Sequence, residues 1–328
     1  MRTVVALLLF GFTPSICHAA GADLSRRIGA TDGWVSWQVP RAPGAGDVCC
    51  QHIRGSVVER RGCDLDGRNG NIISEAAAGG DDPDSLIVYA HVKRGAVDKV
   101  RALSATCPVG SNEPLRRLDG VEPADSVNWL ATRAQQAGRA RNDDDEAIAA
   151  LAFHATPAAM TALQDLAAPG HARDQRQAAL FWMGQARGAE GVAAVERHAH
   201  DDADPDIRQH AVFVLSQAAV QGTYPRILAI ARADRSTEVR GQALFWLAQM
   251  DDARAAADIT EALRREPDAE VREQAVFALS QLKDGQADAA LIALIRGDFP
   301  REVKQRAMFW LGQSGSDAAI AFLDGVLR

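Results

Sequence analysis

From Pro123 onward alanine dominates and apolar residues recur at helical spacing, a pattern that predicts helices. The pattern also repeats. The segments at 176 (RQAALFWMGQ), 208 (RQHAVFVLSQ), 240 (RGQALFWLAQ), 272 (REQAVFALSQ) and 304 (KQRAMFWLGQ) start 32 residues apart without a slip. A second apolar series, Leu163, Val195, Ile227, Ile259, Leu291 and Leu323, takes the same step, so each repeat is two helices. A fixed period of this size predicts a solenoid. Stepping back once places Ala147, Ile148 and Leu151 on the core positions of Ala179, Leu180 and Met183. Residues 144–153 therefore read as a degenerate first copy, with a helix at 123–137 before it and one at 316–328 closing the stack. Acidic residues and proline gather just before helices, as in Asp201 to Asp206 and Glu266-Pro267-Asp268, where they suit a helix N-terminus.

The first third of the chain has another character. Residues 33–40, 85–92 and 97–107 are rich in β-branched and aromatic residues, and the link Lys93-Arg94-Gly95-Ala96 suits a hairpin. The stretch 41–84 reads as long loops. The fold class is thus α+β, mainly α: a small β-rich domain over 20–120 followed by an α-α superhelix over 121–328. Residues 1–19 describe a signal peptide, with a basic start, an apolar run and small residues before a cleavage point after Ala19. A lipid anchor on Cys17 is disfavoured by Ile16 before it. No later run is long enough to span a bilayer, so the expected location is periplasmic or secreted.

Removing the leader leaves four cysteines, Cys49, Cys50, Cys63 and Cys107. An even number in a small module of an oxidising compartment predicts disulfides. Neighbours on a strand point to opposite faces, so Cys49 and Cys50 each take a different partner from Cys63 and Cys107, in an order the sequence leaves open. A thiolate-imidazole metal site with His52 is the competing reading, but no CxxC spacing supports it. Residues 64–75 place Asp64, Asp66 and Glu75 as a calcium loop would, yet Arg68 and Asn69 occupy positions that need a ligand and a glycine. The net charge of −7 gives no footprint for wrapping phosphates, which sets nucleic acid aside.

The pattern Asp-Pro-Asp-x-x-Val-Arg-x-x-Ala with an apolar-Leu-small ending, clearest at 267–280 and 204–216, resembles HEAT repeats. It is most similar to the short type of the phycobilisome lyase-like proteins. The signatures of ankyrin and tetratricopeptide repeats are missing. The resemblance covers about residues 123–328 and implies fold rather than activity. Domain order and the Cys-Cys pair are similar to secreted bacterial HEAT-repeat proteins, which bring no activity with them. HEAT-like deoxyhypusine hydroxylases hold iron through His-Glu pairs, and this chain has no His-Glu dipeptide. His154, His171, His198, His200 and His210 show no repeated ligand spacing and read as solvated.

At 100° per residue, Val271, Ala275, Val276 and Leu279 share the core face of their helix and Phe277 falls opposite. Its equivalents Phe181, Phe213, Phe245 and Phe309 form a ladder, and four residues later stand Gln185, Gln217, Gln249, Gln281 and Gln313. In the HEAT repeats this chain resembles, the Val-Arg helix lines the concave surface, which implies a groove for an extended polypeptide. The competing reading packs each phenylalanine on the next repeat. Trp182, Trp246 and Trp310 occur in every second repeat, with Val214 and Ala278 between, and read as core filling. Arg176, Arg208, Arg240, Arg272 and Lys304 read as partners of the acidic turns. The leading function is therefore a scaffold for a protein or peptide partner, without cofactor, metal or catalytic residues. An enzyme or a cofactor carrier, redox or lyase-like, built on the cysteines is the alternative. The disulfide reading predicts that unreduced mature protein is four hydrogens lighter than the reduced form by intact mass spectrometry. Alkylation of all four cysteines in the native oxidised protein would contradict it.

Overall fold

The computed structural model describes residues 19–54, 57–60, 62–67, 82–137, 144–283 and 285–327. Residues 1–18, most of the stretch read as a signal peptide, and the calcium-loop-like stretch beyond residue 67 lie outside these. The described chain opens with helix α1 (Ala19–Ile28), a helix within the region read as β-rich. Leu24 and Ile28, four residues apart on one face, are buried against helix α2 (Pro123–Ala137).

Strands β1 (Gly33–Pro40), β2 (Gln51–Arg54), β3 (Val57–Arg60), β4 (Cys63–Asp64), β5 (Ser85–Lys93), β6 (Ala96–Ser104), β7 (Val109–Gly110) and β8 (Leu115–Arg117) follow α1. The main sheet has the order β6-β5-β1-β8, antiparallel except for the β1–β8 pair. The β5–β6 hairpin turns at Arg94 and Gly95, both with positive φ (55° and 72°), as a two-residue hairpin turn demands. The Asp32 carboxylate accepts both of their amide hydrogens, at 3.0 and 3.1 Å, and holds the turn. The short ladders β2–β3 and β4–β7 lie in or beside the stretch read as loops.

The helices continue as α3 (Asp144–Phe153), α4 (Pro157–Ala167), α5 (Arg173–Ala186), α6 (Gly188–Asp201), α7 (Pro205–Gln217), α8 (Thr223–Ala233) and α9 (Thr237–Gln249). Then come α10 (Ala255–Arg265), α11 (Ala269–Ser280), α12 (Gln286–Arg296), α13 (Arg301–Ser314) and α14 (Asp317–Leu327). Ala147, Ile148 and Leu151 of the degenerate copy are fully buried. The odd-numbered helices from α3 to α13 pack closely on one another, while α6, α8, α10 and α12 barely touch their even-numbered neighbours. Elements that crowd on one layer and spread on the other curve, so the stack bends with the odd-numbered helices inside.

Sheet and solenoid share a continuous core. The Trp37 ring stands edge-on to Trp129 at 5.3 Å, and its indole N–H donates to Ser126 Oγ at 2.9 Å. Backbone bonds from Ala42 N to Phe153 O (2.8 Å) and from Ala155 N to Pro40 O (2.9 Å) tie the end of β1 to the end of α3.

The arginine ladder meets the acidic turns. Arg208, almost fully buried, donates twice to the carboxylate of Asp234 (2.9 and 3.0 Å) and once to the carbonyl of Asp202. Arg240 repeats this with Glu266 and the Asp234 carbonyl, and Arg176 pairs with Asp202. Each guanidinium thus spans from one repeat to the turn of the next. A buried charge left alone is costly, so Asp234→Ala is expected to destabilise the protein by about 3–5 kcal/mol in denaturant titration. The double change Arg208→Met with Asp234→Leu should recover most of that loss. A single mutant as stable as wild type would contradict the staple.

Candidate functional site

Within α9, Glu238, Gln242, Phe245 and Gln249 are spaced by four, three and four residues, which sets them along one stripe of the helix. Val239, Ala243 and Leu247 face away from that stripe into the core. The acid, the phenylalanine and the second glutamine recur at the same spacing on or at the end of α5, α7, α11 and α13, while the Gln242 position carries Ala178, His210, Gln274 and Arg306. The inner surface therefore carries parallel ladders of phenylalanine and glutamine.

The two readings of the phenylalanines are joined in one arrangement. Phe181, Phe213, Phe245 and Phe277 are half-buried, and Phe309 is 50% exposed. Phe181 lies parallel to Phe213 at 6.4 Å, and Phe245 to Phe277 at 6.0 Å. Between the stacked pairs Trp246 meets Phe213 at 5.0 Å and Phe245 at 5.1 Å, while Trp310 does the same for Phe277 and Phe309. Trp182 bridges Phe181 to Phe153 at the other end. A ribbon of nine rings therefore runs from the end of α3 to α13. The tryptophans fill alternate gaps between repeats, and where Val214 takes their place the facing residue is Gly184. A Cβ on Gly184 would lie 2.3 Å from Val214 Cγ1, so only glycine fits.

Gln185, Gln217 and Gln313 are exposed, whereas Gln249 and Gln281 are half-buried. Gln217 and Gln281 each donate to the preceding serine hydroxyl at 3.1 Å, which leaves their carboxamide oxygens free of that bond. Between α9 and α11 the inner surface opens into a cleft of about 560 Å³. Phe245 and Phe277 line one part of it, and Glu238 with Gln209, Gln242 and Gln274 another. The cleft also touches Gly241. A Cβ there would fall 1.2 Å from Gln274 Oε1, so the glycine makes room for that carboxamide.

One ladder escaped the sequence reading. Asp174, Asp206, Glu238, Glu270 and Glu302 stand at the same 32-residue step, seven residues before each phenylalanine, and all are exposed. The period alone would have revealed it. It was hidden because acids in a first turn already answer the helix dipole.

The cysteines pair as Cys49–Cys107 and Cys50–Cys63, which fixes the order the sequence left open. The two bonds lie side by side, with Cys63 Sγ and Cys107 Sγ 3.6 Å apart and both residues buried. A disulfide sulfur is no thiolate ligand, so in this state the cluster serves as a crosslink.

His154 departs from the solvated reading. It is fully buried at the joint between β1 and α3, and among the described residues neither ring nitrogen has a hydrogen-bond partner. Its backbone bridge to Arg41 and the Arg187 guanidinium on its carbonyl hold it there. His210 is half-buried and donates to the Gln177 carbonyl at 2.9 Å, and His198 bonds Asp202 at 2.9 Å.

A sequence model of HEAT repeats matches residues 224–309, so the solenoid contains the repeats that the Val-Arg pattern implied. No curated protein matches the chain. Among solved structures, human deoxyhypusine hydroxylase in complex with glycerol is similar at 16% identity over 59% of this chain and 80% of that one, with a TM-score of 0.31. YibA of E. coli is similar at 18% identity over 64% of this chain and 82% of its own, TM-score 0.34. The complex of CpcE and CpcF of phycocyanin lyase from Nostoc sp. PCC7120 is similar at 15% identity over 66% and 98%, TM-score 0.29. Likeness at this level assigns no activity.

Burial first, and then the Arg187 charge, pushes the His154 imidazole from 6.5 down to about 4. The unfolded chain takes up this proton below 6.5 and the folded chain only near 4. Stability from this group is therefore complete above pH 6.5 and lost as pH falls toward 4, up to roughly 3 kcal/mol. Thermal melts at pH 7.5 and 4.5 should show a smaller acid shift in His154→Leu than in wild type. Equal shifts would contradict this.

Proposed function

We propose that this chain is a polypeptide-binding scaffold of the periplasm or the extracellular space, and that the bound segment lies along the inner face of the solenoid. The observation that carries this reading is the aromatic ribbon. Rings needed only for packing would be buried as fully as the Val, Leu and Ala positions behind them, yet these keep a wet side along the whole curve. Half-exposed phenylalanine offers apolar area, and the glutamine beside it offers both a donor and an acceptor to a peptide backbone. HEAT repeats typically mediate protein interactions, which agrees with it. The leader-like start and the paired cysteines support a location outside the cytoplasm, and among the described residues no helix is long and apolar enough to cross a membrane.

Peptides selected from a random display library on the purified protein provide the test. They are expected to bind Phe213→Ser/Phe245→Ser/Phe277→Ser at least tenfold more weakly than wild type. Each half-buried ring contributes about 2 kcal/mol to stability, so the variant should melt lower. A second variant, Gln217→Ala/Gln249→Ala/Gln281→Ala, removes no ring of the ribbon and should weaken binding by about 1 kcal/mol per residue. Selected peptides that bind both variants as tightly as wild type would overturn the proposal.

A further inference from the structure

We infer that the segment held in this groove carries arginine or lysine side chains, one of which enters the cleft between α9 and α11 with its charged head toward Glu238. Its apolar stem lies across the stacked pair Phe245 and Phe277. This rests on the polypeptide reading above and adds the chemistry of the occupant.

The acidic ladder runs beside the aromatic ribbon, and two of its members are already engaged by arginine. Asp206 is bonded by Arg173 at 2.7 Å, and Glu302 by Arg272 at 3.4 Å. At the centre, Glu238 receives the hydroxyl of Ser236, and neither Glu238 nor Glu270 is paired with a cation among the described residues. The helix dipole accounts for an acid in a first turn. It does not account for an acid that faces a cleft with no cation at ion-pair distance among the described residues, Arg240 acting on Glu238 only through its charge while bonded to Glu266. The arginines of these helices are turned away, since Arg240 is locked to Glu266 and Arg272 to the Glu266 and Pro267 carbonyls.

The dimensions of the cleft select the occupant. Seven residues separate Glu238 from Phe245, roughly 10 Å along a helix, and the phenylalanine ring leans back toward the acid as helical side chains do. A long side chain with an apolar stem and a cationic head spans that distance. The carboxamides of Gln242 and Gln274 lie between and accept its N–H groups. An aromatic guest would cover the rings but leave a carboxylate and carboxamides without donors, which is unfavourable. The rungs also set a period. Packed helices lie about 8–10 Å apart, and three residues of polyproline II advance about 9.3 Å. A cation three residues along an extended segment would therefore meet Glu270.

Fluorescent nonapeptides with three repeats of Pro-Pro-Arg, Pro-Pro-Leu or Pro-Pro-Glu, titrated into the full chain, test this. The arginine peptide is expected to bind at least tenfold tighter than the leucine peptide, and its affinity should fall as salt screens the pairing. Glu238→Gln/Glu270→Gln should abolish that advantage. Both carboxylates are exposed, so an unchanged melting temperature verifies the fold. Equal binding of the arginine and leucine peptides would overturn the cationic occupant while the polypeptide reading stands. An arginine advantage that persists in the double variant would overturn the assignment to these carboxylates. Failure of the arginine peptide to bind would also overturn the inference, and library peptides that still bind would show that the polypeptide reading survives it.

Discussion

A guanidinium buried between two repeats has one acceptable position, the one in which its charge and its N–H groups are met. Arg208 finds it between the Asp202 carbonyl and the Asp234 carboxylate, and Arg240 one repeat later between the Asp234 carbonyl and Glu266. Pairs of this kind add little net stability against an apolar core, but an alignment that leaves the guanidinium buried without its carboxylate is penalised. A two-helix repeat packed only by alanine and leucine has several shallow ways to sit on its neighbour. The arginine at a fixed place in the chain leaves one, and the exact 32-residue step is what keeps that place fixed.

The inner surface inherits its order from this register. Rings can lie parallel at 6.0 Å only if successive helices hold the same rotation and height. The tryptophan of every second repeat then closes the gap between one stacked pair and the next, and the ribbon becomes continuous while one side stays wet. At its first ring the ribbon reaches Phe153, whose carbonyl accepts the Ala42 amide. The sheet is thereby coupled to the start of the groove.

Much of this was legible in the residues. The helices at 123–137 and 144–153 and the hairpin at 93–96 followed from local spacing and from a turn that needs glycine. The direction of the phenylalanines followed from the helical angle. Their half-burial did not, because it depends on the distance between repeats, which no single helix contains. Helix α1 was overlooked because alanine, glycine and serine beside a stretch read as a cleavage signal give a weak pattern, and only Leu24 and Ile28 mark its buried face. The pairing of Cys49 with Cys107 was out of reach for a different reason. Two adjacent cysteines are equivalent to local geometry, and only the tertiary placement of Cys63 and Cys107 separates them.

The close fit of Gly184 against Val214 has a bearing on how such a chain can change in length. A repeat with tryptophan and a repeat without it are complementary halves, so the structural unit is the pair, 64 residues long. Loss or gain of a single repeat would bring two like halves together, setting either a tryptophan against a residue such as Gly184 that now meets valine, or a small residue in a gap that tryptophan now fills. Recombination that copies whole pairs keeps every junction intact. Parity, rather than repeat number, is thus the quantity that selection can preserve in this solenoid.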